Sequence, residues 1–306
     1  MRMGKLVVVL FHVIFDNSDE IHNNIIYPQQ KITLQHFSRF IKDFLDHSYI
    51  FVSAKDLLNG LNPEINHVLI TFDDGYYNNQ RILPILKEFS VPALFFISTE
   101  HILQNKGFWW DIVYRERSNQ GVHLDTIEKE IESLKKKRNA AIEKYILNNF
   151  GENAFVPSGD LDRPFSSDEL QQFSRNEYVE LGVHTSNHSI LTNYERNEAY
   201  SAIAEGIKQL SSITQGRYAP VISYPNGNFS KSIINGSKLL GMKLGISMIQ
   251  MSNYLPLQMN KYETMALGRN ILWGDVDIAQ QCVRMRSQKY FSQLKGILKR
   301  KILLSK

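Results

Sequence analysis

The sequence predicts an α/β fold, a closed or nearly closed barrel of parallel strands carrying a mainly helical insertion. Three observations predict it. Continuous β-branched apolar runs at 5–15, 67–72 and 91–98 read as strands covered on both faces. Amphipathic helical segments alternate with such runs, which is the βαβ pattern of parallel pairing. The alternation persists over ~250 residues, the length of a single (β/α) barrel.

The elements follow in order. Residues 5–15 (KLVVVLFHVIF) form the first strand. After a polar loop reaching Pro28, Thr33 is a natural N-cap for a helix on which Leu34, Phe37, Phe40, Ile41, Phe44 and Leu45 share one face. Residues 49–52 read as a short strand and 53–58 as a short helix. Strand 67–72 runs directly into Asp73-Asp74-Gly75. Residues 79–89 read as a helix with Ile82, Ile85, Leu86 and Phe89 on one side, and 91–98 (VPALFFIS) as the next strand. Residues from about 105 to 175 depart from the alternation and read as an insertion over or beside the barrel. Within it, 127–150 is a highly charged stretch read as a solvated helix with one apolar stripe. The alternation then resumes with strand 178–184, helix 195–210, strand 221–224, helix 230–240, strand 244–248 and a last strand over 265–272. Residues 1–277 are thus taken as one barrel domain, and 278–306 as a basic amphipathic C-terminal helix.

Bulk properties narrow the function classes. The single cysteine, Cys282, excludes an internal disulfide framework. The net charge of +4 comes from the tail, since residues 278–306 hold eight Lys/Arg and no Asp/Glu. The remaining body is slightly acidic, so no nucleic-acid partner is expected. The opening MRMGKLVVVLFHVIF imitates an export signal. However, Asp16-Asn17-Ser18-Asp19 follows in place of a small-x-small cleavage pattern, and His12 interrupts the run, so it is read as a buried strand. No run reaches the roughly 18 apolar residues needed to cross a bilayer. A cytoplasmic location is expected, with an exported form left open. The tail stripe Tyr290, Phe291, Leu294, Ile297, Leu298 and Ile302 either covers the barrel or contacts an anionic membrane peripherally.

In parallel α/β folds chemistry sits at the C-terminal ends of strands. Four polar signatures occupy such positions: His12, Asp73-Asp74, His184-x-x-x-His188 and Tyr224-Pro225-Asn226-Gly227. Two histidines four apart can share one cation, and an aspartate from another strand would complete a His₂Asp set with an open position for water. Adjacent buried carboxylates repel when both are ionised. A divalent cation on Asp74 relieves this and leaves Asp73 as a base, kept ionised by the nearby positive charge. Gly75 lets the backbone turn and a substrate approach.

TFDDG (71–75), HTSNH (184–188) and YPNG (224–227) resemble the motifs of the polysaccharide deacetylases of carbohydrate esterase family 4, the NodB-homology enzymes. The resemblance spans about residues 5 to 275, apart from the insertion. It implies a distorted (β/α)7-type barrel and metal-dependent hydrolysis of acetyl groups on sugars. Position by position it implies Asp73 as catalytic base and Asp74, His184 and His188 as metal ligands, with zinc the first choice among divalent cations. It also implies Tyr224, Pro225, Asn226 and Gly227 as the substrate-groove motif, an N–H of Asn226 binding the oxyanion.

Two departures are visible. Ser223 stands where many members carry an arginine, and no histidine follows His188 to act as general acid. A subset similar to the poly-N-acetylglucosamine deacetylases supplies that histidine from the first strand in a circularly permuted order. LFHVI (10–14) resembles it, which makes His12 the candidate acid. Arg269, in LGRNI, is the candidate partner that holds Asp73 ionised. Phe108-Trp109-Trp110-Asp111 reads either as core or as a platform for stacking a sugar.

The expected function is a metal-dependent hydrolase removing N-acetyl groups from an aminosugar-containing glycan or precursor. The alternatives are a deformylase or O-deacetylase acting on a lipid-linked sugar, or a catalytically silent glycan-binding barrel. The sequence carries no signal for oligomeric state.

Overall fold

The computed structural model describes residues 3–259 and 262–287. The chain begins with β1 (Lys5–Phe11), α1 (Ser18–Ile21), α2 (Leu34–Asp46), β2 (Ile50–Phe51), α3 (Ala54–Asn59) and β3 (His67–Phe72). It continues with α4 (Leu83–Phe89), β4 (Ala93–Ile97), α5 (Thr99–Gln104), α6 (Trp109–Asn119), α7 (Leu124–Leu134), α8 (Asn139–Phe150) and α9 (Ser167–Phe173). The remainder comprises β5 (Val179–Val183), α10 (Arg196–Thr214), β6 (Val221–Ser223), α11 (Lys231–Leu239), β7 (Leu244–Ile246), β8 (Asn253–Tyr254), β9 (Asn270–Ile271) and α12 (Ile278–Ser287).

Parallel pairing runs β7-β6-β5-β4-β3-β1, with β2 also pairing β3 and β8 adding antiparallel to the start of β1. The segment after β8 closes the curl. Leu267 bridges Ile246 at the end of β7, and Asn270 and Ile271 pair in parallel with Val9 and Leu10 of β1. The fold is a distorted (β/α)7-type barrel, as expected. The last strand, read as continuous over 265–272, is instead split between two neighbours. Its first part is a 3₁₀ turn, Tyr262–Met265. Gly245 permits the crossing, because a Cβ there would lie 2.3 Å from Met265 O.

Period-2 alternation explains both faces of the sheet. Leu6, Val8, Leu69, Leu94, Phe96, Val221, Leu244 and Ile246 fill the barrel interior. Val7, Val9, Phe11, Val68, Ile70, Phe72, Phe95, Leu181 and Ile222 pack outward against the helices. Phe37, Phe40, Ile41 and Phe44 of α2 join this outer layer, its start fixed by Thr33, which accepts from His36 N. The inward parity includes Thr71 and Ser223 near the strand ends and, carried just past them, His12, Asp73 and His184. The register thus aims these polar side chains at the barrel axis.

Several local readings differ from the structure. β1 stops at Phe11, and the expected helix over 79–89 begins as a 3₁₀ turn, Tyr77–Ile82, with Pro84 in the first turn of α4. The charged stretch 127–150 is two helices. Asn193 Nδ2 donates to Lys135 O and Lys137 O, while Tyr194 Oη accepts from Asn139 N, so contacts from a distant loop cap both ends of the break. The first ten residues of the C-terminal segment form α12, whose Ile278, Cys282 and Met285 are buried against α2. The apolar stripe at 290–302 lies outside the described residues. Among the described residues no helix is long and apolar enough to cross a membrane.

Candidate active site

At the C-terminal rim of the strands lies a cavity of about 300 Å³. Its wall includes His12, Asp73, Asp74, His184, His188, Asn226, Gly227 and Arg269. Residues beside five separate strands therefore share one opening.

Asp73 extends β3 by one hydrogen bond, its N–H donating to Phe11 O at 3.0 Å. The chain then reverses through two residues at positive φ, Asp74 (79°) and Gly75 (95°). That turn brings the Asp74 carboxylate to the same side as Asp73 although their strand parity differs. A carboxylate residue tolerates this left-handed region better than most side chains. Thr185, His188 and Asn226 also have positive φ, so the backbone departs from regular geometry on three sides of the cavity.

Asp74 Oδ1, His184 Nε2 and His188 Nε2 form a tight cluster. The two imidazole nitrogens stand 3.5 and 3.4 Å from Asp74 Oδ1, and ligand-capable atoms of the three residues all lie within 4.8 Å of one another. Asp74 Oδ1 is buried without a hydrogen-bond donor. His184 Nδ1 is engaged by Ser223 O at 2.8 Å, which directs its Nε2 lone pair toward the cluster. Burial pushes the His188 imidazole down to about 3, keeping it neutral. Burial also opposes charge on His184, but the Asp73 and Asp74 carboxylates outweigh it and raise that imidazole. The same carboxylates favour a cation in place of the proton. Two neutral-capable imidazoles and one carboxylate whose buried Oδ1 lacks a donor fit a divalent ion of the zinc type.

Asp73 sits in a different environment. Arg269 grips it with both nitrogens, Nη1 to Oδ1 at 2.8 Å and Nη2 to Oδ2 at 2.7 Å, and Ser223 Oγ donates to Oδ2 at 3.2 Å. Burial alone would raise the carboxyl. The Arg269 guanidinium, with His184 and His12, reverses the sign and holds it well below the usual carboxylate range. For Asp74 burial likewise acts upward and the three histidines bring it below its ordinary value. The two adjacent carboxylates thus have separate partners, a fixed guanidinium for one and an imidazole cluster for the other. Ser223 keeps a role in this arrangement, through its hydroxyl and its carbonyl.

Asn226 and Gly227 line the cavity, whereas Tyr224 and Pro225 are buried and absent from its wall. Tyr224 Oη instead donates to Met265 O at 2.9 Å and props the segment that closes the barrel. The expected four-residue substrate element is thereby reduced to its last two residues. The Gly227 and Asn228 N–H groups are spent on Tyr224 O and Pro225 O, so Asn226 supplies the remaining N–H of this turn.

Residues 108–111 are buried, as the core reading expects. Phe108 is fully buried, stacked on His101 and Trp110, while Trp109 and Trp110 line the cavity. The Trp110 ring lies 4.6 Å from that of His188, and its Nε1 donates to Tyr76 Oη at 2.8 Å. Ile131, Glu132 and Lys135 at the end of α7 also reach the wall. The charged stretch read as merely solvated therefore contributes to the site.

The His184–His188 loop rests on α10. Ser186 N donates to Ala202 O at 3.1 Å, and a Cβ on Gly206 would lie 2.7 Å from Thr185 C. Gly206→Ala is expected to displace this loop, lowering stability by about 1–3 kcal/mol through overpacking and weakening cation uptake. Thermal unfolding and zinc titration of the variant check both effects.

The polysaccharide deacetylase family model matches residues 60–245. No curated protein matches the sequence at a significant level. Among solved structures the chain is similar to the Streptococcus pyogenes deacetylase PplD in complex with acetate, at 14% identity and TM-score 0.63, over 94% of this chain and 100% of that one. It is also similar to a de-N-acetylase from Aggregatibacter actinomycetemcomitans, at 15% identity and TM-score 0.58, over 96% of this chain and 100% of that one. IcaB from Ammonifex degensii matches at 15% identity and TM-score 0.57, over 91% of this chain and 97% of that one. At these identities the likeness is one of fold. With the family match spanning more than half of its length, the chain belongs to the polysaccharide deacetylase family.

Proposed function

We propose that this protein hydrolyses the N-acetyl group of an aminosugar in a glycan or glycan precursor, using one divalent cation held by Asp74, His184 and His188. The observation that carries the reading is the convergence of that cluster, the Asp73–Arg269 pair and His12 on one cavity at the strand ends. Bound there, zinc or a similar ion supplies Lewis-acid polarisation of the acetyl carbonyl and acidifies water.

The chain's own residues supply the rest. Asp73, ionised and oriented by Arg269, accepts the proton of the attacking water. The Arg269 clamp weakens its basicity but secures its charge and direction, so the base relies on an acidified water. The Asn226 N–H donates to the developing oxyanion. His12 gives a proton to the departing sugar amine, otherwise a poor leaving group. Trp109 and Trp110 offer apolar wall to the sugar ring.

The test is acetate release from a panel of N-acetylated aminosugars and their oligomers by the zinc-loaded full chain. Release that stops with chelator and returns with added zinc is the expected result. Mass spectrometry of the product distinguishes loss of acetyl from loss of formyl. Absence of release across the panel, or release untouched by chelator, contradicts the proposal.

A further inference from the structure

Gln30 is a buried polar residue that the proposed reaction has not used. It is 4% exposed and lies in the turn before α2, 18 positions from His12. Its Nε2 donates to Leu10 O at 2.8 Å and to Leu272 O at 3.0 Å. Its Oε1 lies 2.9 Å from His12 Nδ1.

The orientation of this amide follows from chemistry. A carbonyl oxygen only accepts, so both acceptors demand the NH₂ end of the amide. Flipping it would set Oε1 against two carbonyls and lose both of those hydrogen bonds. Oε1 must then face His12, and because an amide oxygen also only accepts, Nδ1 of His12 must carry the hydrogen. That leaves Nε2 as the imidazole nitrogen available to the cavity.

The turn itself is clamped. Lys31 N donates to Pro28 O, and Gly274 N donates to Gln30 O at 2.7 Å. A Cβ on Gly274 would lie 1.8 Å from Lys31 O, so only glycine allows this approach. Asn79 Nδ2 holds the His12 carbonyl at 2.7 Å. Backbone and ring of His12 are thus fixed from two directions.

We propose that Gln30 is a positioning residue that sets the tautomer of His12, presenting Nε2 to the leaving amine. The role requires an amide. A glutamate at this place would turn lone pairs toward Leu10 O and Leu272 O, so Gln30→Glu is not a conservative replacement. This inference rests on the proposed role of His12 in deacetylation, and its first readout is independent of activity.

The experiment is ¹⁵N NMR of the histidine side chains in the zinc-loaded full chain, with His12 assigned by comparison with His12→Gln. At about pH 8, above the ordinary imidazole range, the expected neutral form carries hydrogen on Nδ1 and none on Nε2. In Gln30→Met the Nδ1–H preference is lost, and kcat falls by about 10–100-fold with little change in KM, the usual size of losing such an orienting partner. Hydrogen on Nε2 in the wild-type protein overturns the proposal. So does an unchanged tautomer or an unchanged kcat in folded Gln30→Met. Should that variant not fold, the wild-type spectrum alone decides. Should the wild-type chain release no acetate, the deacetylase reading fails, while the tautomer still tests Gln30.

Discussion

Asp74→Ala and His184→Ala are each expected to remove zinc uptake and turnover in the same step. The cluster offers three ligand-capable residues, and each alanine leaves two. The loss should show as metal content near zero after dialysis, with activity reduced at least as far as the loss of a catalytic group, about 10²–10⁴-fold. Stability is expected to move in the opposite direction for Asp74→Ala measured without metal. Asp74 is buried, with Oδ1 lacking a donor, and its removal also ends the repulsion with Asp73. A protein that is more robust yet inert would mark the cluster as a functional site and not a structural one. Retained zinc stoichiometry in either variant would contradict the ligand assignment.

Asp73→Asn is expected to keep the metal and lose turnover, by about 10²–10⁴-fold for a missing base. The buried Arg269 adds a second consequence. Among the described residues Asp73 is its only ion-pair partner, and its side chain is 1% exposed. An amide cannot balance that charge, so unfolding should become easier by about 3–5 kcal/mol, the usual result of stranding one member of a buried pair. Zinc content, kcat and chemical denaturation measured on one preparation separate these effects. Near-normal turnover would show that another group takes the proton. Loss of zinc together with turnover would show that the two carboxylates do not divide the work as proposed.

The strands and the site rim were legible in the sequence for a physical reason. A strand covered on both faces must be apolar throughout, so HVLITF stands out, and the first charged residues after it mark where the barrel opens. The pairing of Arg269 with Asp73 was also foreseeable, because a buried carboxylate needs a cation. Other features depend on contacts that no local pattern records. The break between α7 and α8 has no glycine or proline; it is capped by Asn193 and Tyr194 from another part of the chain. Tyr224 is a groove residue by the family resemblance of its motif, yet its hydroxyl turns to Met265 O. Gln30 lies in a loop without periodicity, and its meaning comes from Leu10 and Leu272, which the fold brings beside it. Residues β8 and β9 contribute two apiece to the sheet, too few for any alternation to show.

The family match ends before the segment that completes the barrel, and it begins after β1. His12, Gln30 and Arg269 all lie outside it. These three residues, set around the TFDDG and HTSNH elements, thus come from the two ends of the barrel, which meet where β9 pairs with β1.

The most direct measurement is diffraction from zinc-soaked crystals of the full chain, with anomalous difference maps collected on both sides of the zinc absorption edge. The account predicts one strong peak shared by Asp74 Oδ1, His184 Nε2 and His188 Nε2, with the Asp73 carboxylate still held by Arg269. A map with no peak among these three side chains, or with the ion bound to Asp73 in their place, would contradict it.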